Sequence, residues 1–397
     1  MEQSQIDNQM FHMFDGSFKA AKDLQVDDQL MGIDSTPCTI TEIDIVEETC
    51  YSVTPIKGDS YVIGETDTLS LAYVGSPSIY WSKAKNSYLV TWFNKTETKK
   101  SSKRFSVPKY TTKEIALDNA EKYKNSVNTD KKFALSVADY LDRSQSFKTE
   151  AKGFKVPLSF PDREFEIDPY FIGYWLGDGS SDDSVLTIGN EDNHMVEYFE
   201  EYFEDNFDLQ FNRVGKGIHY RVTTGERGHV YDGKNVILKY LRDKKLYKNK
   251  HIPLEFLHSS RESRLRLLAG LLDSDGSLDN NTYDFIQKRE RLLDDVIYLA
   301  RSLGFSCYKV SCEKTCTNAP GGPKTGTYFR CTISGKGIEE IPCMIPRKKA
   351  HPRQQIKDVL VTGIKLEDIG VFENYHIYTD KPEYLLADFT VRHSHET

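Results

Sequence analysis

The chain has 397 residues and a mass of 45.6 kDa, too long for one ordinary core, so two or three domains are expected. No run of eighteen apolar residues occurs, which excludes a membrane-spanning helix. The net charge of −8 argues, taken whole, against nucleic acid, but Lys83 through Lys152 hold sixteen Lys/Arg against eight Asp/Glu, leaving −16 for the remainder. Affinity for a phosphate backbone follows local positive surface, not the global sum.

Met1 through Asp7 carry neither the basic nor the apolar stretch of a secretory signal. An intracellular, reducing location is therefore expected, nuclear in a eukaryote, and seven cysteines without paired CxxC spacing fit it. Cys312 and Cys316 could form half of a zinc site, but no second pair or histidine cluster accompanies them.

Residues 10 to 75 read as short strands joined by turns, with Phe14-Asp15-Gly16-Ser17 and Gly32-Ile33-Asp34-Ser35 as hairpin signals. Next, Tyr88–Phe93 and Lys103–Val107 predict a hairpin. A helix follows, capped by Thr112, with Ile115, Ala116, Ala120 and Tyr123 at helical spacing. A basic hairpin followed by one helix suits a module that lays strands in a DNA groove. Over about forty residues it resembles the AP2-type DNA-binding modules. Lys83, Lys85, Lys95, Lys99, Lys100, Lys103 and Arg104 are its candidate DNA contacts.

Residues 155 to 345 contain an internal repeat. The first copy opens on the apolar helix Tyr170–Gly177, ending at Asp178-Gly179, with a strand at Val185–Ile188 and a helix at about 194 to 207. The second opens on Leu267–Ser274, ending at Asp275-Gly276, with a strand at Tyr283–Ile286 and a helix at about 292 to 303. Gly173 and Gly177, then Gly270 and Ser274, stack small residues on one face of each helix, which lets two backbones approach closely. Pairing the helices there brings Asp178 and Asp275 together at helix C-termini, where the dipole disfavours carboxylates. Mg²⁺ held by Asp178 and Asp275, with Gly177 and Ser274 beside them, is the natural occupant. Asp273, matched by Leu176 in the first copy, is expected to be structural.

Gly173-Tyr174-Trp175-Leu176-Gly177-Asp178-Gly179 and Leu268–Gly276 resemble the two signature motifs of the LAGLIDADG homing endonucleases. The resemblance extends to the intein-borne kind. It implies Lys250, in Lys250-His251-Ile252-Pro253, and Lys349, in Arg347-Lys348-Lys349, as active-site lysines. The flanking segments Met13–Ser17, Val26–Gly32 and Leu385–His393 resemble the two ends of a Hint (protein-splicing) domain. Against that pattern Ser4 stands where the first cysteine belongs, Thr68 where the assisting histidine belongs, and Ser394 where the terminal asparagine belongs. His393 keeps the penultimate place and is expected as an exposed tail histidine.

The fold expected is α+β with all-β parts: a pseudo-symmetric endonuclease of two αββαββα repeats inserted in a split Hint-like β domain. Boundaries are expected at 1–80, 81–152, 153–350 and 351–397. The function expected is Mg²⁺-dependent, site-specific double-strand DNA cleavage by a monomer on a long asymmetric site, with splicing lost. The alternatives are a splicing-competent intein, a DNA-binding protein of this fold without cleavage, and an RNA maturase.

Overall fold

The computed structural model describes residues 2–127, 131–225, 235–316, 324–352, 354 and 357–395. It divides into two compact units, Met1–Val156 with Leu360–Thr397, and Pro157–Val359. The expected 81–152 insert thus lies inside the first unit, and 351–359 belongs with the second. Among the described residues no helix is long and apolar enough to cross a membrane.

In the first unit the longest strands are β1 (Pro37–Pro55) and β16 (Ile364–Thr379), paired antiparallel from Ile40↔Thr379 to Pro55↔Ile364. Strands distant in the chain thus close one ribbon, and helix α1 (Glu2–Asp7) packs on it through Ile6. A four-stranded sheet runs in the order β6 (Lys132–Ser136), β2 (Thr68–Tyr73), β7 (Ala151–Phe154), β15 (Val361–Thr362). Leu69, Leu71, Leu135 and Ile40 help fill the core between these layers. Strand β17 (Val391–His393) is buried throughout.

The predicted hairpin forms as β4 (Ser87–Asn94) with β5 (Lys99–Ser106), in register Tyr88↔Phe105. A strand missed in the sequence, β3 (Ser78–Ser82), adds to its free edge. Helix α2 (Lys113–Ser126) follows; Thr112 Oγ1 accepts from the Ile115 amide at 3.2 Å, the expected cap. Ala116 and Ala120 pack inward as expected, whereas Ile115 is 46% exposed.

The second unit holds helix α3 (Pro169–Asp178), strand β8 (Val185–Thr187), helix α4 (His194–Phe207), and strands β9 (Gln210–Arg213) and β10 (His219–Thr223), sheet order β8-β10-β9. Then come α5 (Arg261–Asp275), β11 (Gly276–Asp279), β12 (Thr282–Gln287), α6 (Glu290–Ser302), β13 (Lys309–Cys316) and β14 (Lys324–Ile333), sheet order β11-β12-β14-β13. A bridge Gly179↔Leu186 stands where β11 pairs β12 in the later half. Helix α3 buries every residue from Pro169 to Leu176, because it lies in the interior of its unit. Cys312 is a free thiol, and the Cys316 side chain lies outside the described residues.

Candidate active site

Helices α3 and α5 meet at their glycines. A Cβ on Gly173 would stand 2.1 Å from the Leu267 carbonyl oxygen, and one on Gly270 would stand 2.1 Å from that of Tyr170. Only the absence of a side chain permits backbone contact this close. One turn later, a Cβ on Gly177 would lie 2.0 Å from Ser274 Oγ and 3.3 Å from the Asp275 amide nitrogen. The contact therefore persists to the C-termini and carries Asp178 and Asp275 to one place.

The chemistry there follows from burial. Burial first, then the charge of Asp275, pushes the Asp178 carboxyl up to about 6. Asp275 is raised by burial too, against the opposing pull of Lys250, Lys348 and a hydrogen bond from Gln287. The strand position matching Gln287, two residues beyond the partner of the helix-end glycine, holds the buried Ile188 in the first half. Two acids that resist ionisation side by side need positive charge between them.

Part of that charge comes from two buried lysines used in the same way. Lys250 Nζ donates to the carbonyls of Leu176, Gly177 and Gly179 at 3.1, 3.1 and 2.7 Å. Lys348 Nζ donates to those of Leu272, Asp273 and Ser274 at 3.0, 2.7 and 3.0 Å. Each ammonium thus satisfies the orphan carbonyls at one helix end and opposes the dipole there. Burial lowers Lys250 to about 8 against the pull of Asp275, and burial lowers Lys348 against that of Asp273 and Asp178.

Lys348, and not Lys349, holds this place. Lys349 is exposed, beside a shallow surface concavity lined by Ile341, Pro342 and Met344. Two adjacent lysines cannot be told apart by spacing; the 3₁₀ turn Pro346–Lys348 decides which one points inward. Lys348→Met is expected to lower any cleavage rate at least tenfold and to remove the hydrogen bonds that Lys348 gives to the Leu272, Asp273 and Ser274 carbonyls, of which Leu272 keeps the Gly276 amide, at a cost of about 1–3 kcal/mol. Lys349→Met should do neither. Cleavage rates and urea midpoints of the two variants check this.

Asp273 accepts from Tyr170 Oη at 2.7 Å and from the Met344 amide at 2.6 Å, and it is buried. It therefore ties the segment bearing Lys348 to α5 and is a structural carboxylate. Among the described residues no group of three or more His, Cys, Asp or Glu could hold a metal ion. A cation at the seam would have two carboxylates, and the carbonyls of Gly177 and Ser274 already accept from the lysines. That donor set fits magnesium, which takes one or two carboxylates and completes its shell with phosphate and water.

The other expected residues lie in the first unit. Ser4 is exposed on α1, its carbonyl and hydroxyl both engaged by Asn8. Thr68 opens β2 opposite Ser136. His393 is buried, not an exposed tail residue: β17 is an interior strand, and its Nδ1 lies 2.8 Å from the Ser394 carbonyl oxygen. Ser394 is buried too, with Oγ accepting from the Thr379 amide at 2.9 Å.

A cluster that sequence reasoning missed surrounds Asp67. Arg392 donates to Asp67 Oδ2 at 2.7 Å, and His395 Nδ1 lies 3.2 Å from Oδ1. Against burial, which raises it, these partners hold Asp67 at about 2. The His395 ring stacks on His376 with centroids 3.8 Å apart, and His376 bonds Glu48 at 2.5 Å. The residues span 48 to 395, so no local pattern marks them.

The basic residues divide between the faces of the β3–β5 sheet. Lys103 Nζ sits 4.0 Å from the Tyr123 ring centroid, on the side of α2. Lys99 pairs with Glu97 at 3.3 Å and Lys100 with Glu150 at 3.0 Å. Lys83 and Lys85 lie in the 3₁₀ turn between β3 and β4, Lys95 in the β4–β5 loop, and Arg104 is exposed.

Residues 251–341 match the family model described as homing endonuclease, a stretch that takes in Asp275 and leaves Asp178, Lys250 and Lys348 outside. By class the chain is a DNA endonuclease, a hydrolase. It is also 33% identical over 151 residues, 38% of its length, to the replicative DNA helicase DnaB of Mycobacterium intracellulare. The chain spans about a fifth of that relative, 21% of its length. Among solved structures, mesophilic variants of the homing endonuclease I-DmoI align over 44% of this chain and 92% of theirs, at 14% identity and a TM-score of 0.29. I-DmoI in complex with DNA and Ca aligns over 44% and 86%, at 14% identity and 0.28.

Proposed function

We propose that this chain is a Mg²⁺-dependent, site-specific double-strand DNA endonuclease of the LAGLIDADG kind. The observation that carries the reading is the α3–α5 seam, which brings Asp178 and Asp275 to one point, with a buried lysine on each helix end. The matching strand orders of the two halves support a pseudo-symmetric pair of cutting centres, one for each strand. Their unequal residues, Gln287 against Ile188, suit an asymmetric site and a monomer.

Asp178 and Asp275 would hold Mg²⁺, which supplies charge for the attacking and leaving oxygens of a phosphodiester. Lys250 and Lys348 point all three ammonium donors at helix carbonyls, so each acts through its charge on the carboxylates and keeps the helix ends in place. Gln287 orients Asp275 by donating to Oδ2.

The first unit reads best as a protein-splicing scaffold whose chemistry is gone. Ser4 is held on a helix by Asn8, and buried Ser394 follows His393 where cyclisation would need an asparagine. The Asp67–Arg392–His395 cluster is an ion-paired network, not a nucleophile and its base. A 151-residue likeness to part of a much longer helicase agrees with an element that moves between host proteins.

The test is cleavage of a randomised plasmid library. A recovered site should be long and asymmetric, and its cutting should require Mg²⁺ and stop on chelation. Protonation of Asp178 below about 6 removes a cation ligand, so the rate should fall roughly tenfold per pH unit there. A chain that cuts no member of the library with Mg²⁺ overturns the reading.

A further inference from the structure

Each buried lysine of the seam is also held from the half whose helix it does not satisfy. Lys348 satisfies the end of α5, in the second half, but Arg347 beside it reaches the first half. Its guanidinium forks onto Asp192, giving Nη1 to Oδ1 and Nη2 to Oδ2, the latter at 2.9 Å. Nη2 also meets Glu191 Oε1 at 3.1 Å. Asp192 is buried and closes the 3₁₀ turn Asn190–Asp192 that leads into α4, whereas Arg347 and Glu191 are exposed. Asp273 of α5 holds the same lysine-bearing segment through the Met344 amide, so both halves grip it.

Lys250 shows the converse. It satisfies the end of α3, in the first half, yet its segment is held by α6 of the second. Asp295 Oδ2 accepts the Ile252 amide at 2.8 Å, two residues beyond the lysine. Asp192 and Asp295 thus stand in corresponding places, one leading into and one within the helix that follows the first strands of its half.

The ties lie beside the reacting groups. After burial and Asp275, Asp192 also raises the Asp178 carboxyl. A forked arginine–carboxylate pair fixes direction as well as distance. A lysine tied only to its own helix would follow that helix alone. Tied to both halves, it is fixed relative to both Asp178 and Asp275, which come one from each half.

We propose that Asp192, through Arg347, and Asp295, through the Ile252 amide, are positioning residues that fix the two lysines relative to the carboxylates of both halves, one tie for each cutting centre; the proposal rests on the endonuclease reading above.

The experiment follows an end-labelled duplex carrying the selected site, cut by the full chain with Mg²⁺, and reads each strand separately. Wild type should cut both strands at similar rates. Asp192→Asn should slow one strand about tenfold and leave the other within about twofold, since a displacement of about 1 Å can cost up to about 10²-fold. Arg347→Met, which alters the exposed partner and spares the buried one, should slow the same strand. The double variant should be no slower than either single change, because both remove one interaction. Asp295→Asn should slow the opposite strand, and Glu191→Gln should cut as the wild type does. Equal slowing of both strands is what a loss of fold stability alone would give, and it overturns the proposal. So do wild-type rates in Asp192→Asn, Arg347→Met and Asp295→Asn, or slowing of one and the same strand by both aspartate variants. A wild-type chain that cuts nothing removes the endonuclease reading itself, and this proposal with it.

Discussion

Asp178→Asn should abolish double-strand cleavage and at the same time make the protein more stable. The amide cannot supply a charged ligand, and losing several kcal/mol of transition-state charge stabilisation slows the reaction by about 10³-fold or more. DNA affinity should stay within about threefold, since phosphate contacts come from other residues. The stability gain has the opposite origin. Asp178 is held at about 6 by burial and by Asp275, so its ionised form is unfavourable in the folded state. The folded chain therefore binds more protons than the unfolded chain between about pH 4 and 6, and stability falls as pH rises through that window. Removing the charge should return on the order of 1–3 kcal/mol at neutral pH, a few degrees in the melting midpoint. Cleavage in the wild type rises over the window in which stability falls, and Asp178→Asn should flatten both curves. Asp275→Asn should share the loss of activity. Cleavage at the wild-type rate in either variant removes that aspartate from the mechanism.

Gly270→Ala should be among the most damaging single-methyl additions in the second unit. The new Cβ would lie 2.1 Å from the Tyr170 carbonyl oxygen and 2.7 Å from the Tyr174 amide nitrogen. Both are backbone atoms of α3, so relief requires the helices to move apart. In a helix interior alanine is worth about 1 kcal/mol over glycine, yet ordinary overpacking already costs about 1–3 kcal/mol. Collision with a backbone should exceed that range. Separating the helices also separates the carboxylates, and a shift of about 1 Å can cost about 10²-fold in rate. Gly173→Ala, facing the Leu267 carbonyl, should behave alike. Gly189→Ala is the control: its Cβ would meet only ordinary contacts at 3.8 Å or more. Urea midpoints and cleavage rates for the three variants decide it, and a Gly270→Ala protein as stable and active as wild type would mean that the two helices do not touch at their backbones.

Much of the seam is legible in the amino-acid order, because it rests on local periodicity. Four-residue spacing of Gly173 with Gly177, and of Gly270 with Ser274, fixes a helix face without reference to the partner helix. The hairpin Tyr88–Phe105 and the Thr112 cap are readable for the same reason: each depends on neighbours within about twenty residues. The β3 edge strand carries the strand-favouring Ile79, Tyr80 and Trp81, but five residues fix neither its partner nor its edge; pairing with β4 does.

The chain alone determined the two apolar helices, the aspartates that end them and the basic hairpin, since these follow from spacing and side-chain type. Only tertiary structure decided that Lys348 and not Lys349 turns inward, that His393 is interior, and that Asp67, Arg392 and His395 meet. Each of those outcomes depends on which distant backbone or ring lies opposite a side chain. Residues such as Asp67 and Arg392 become neighbours only through packing, and no local pattern carries that information.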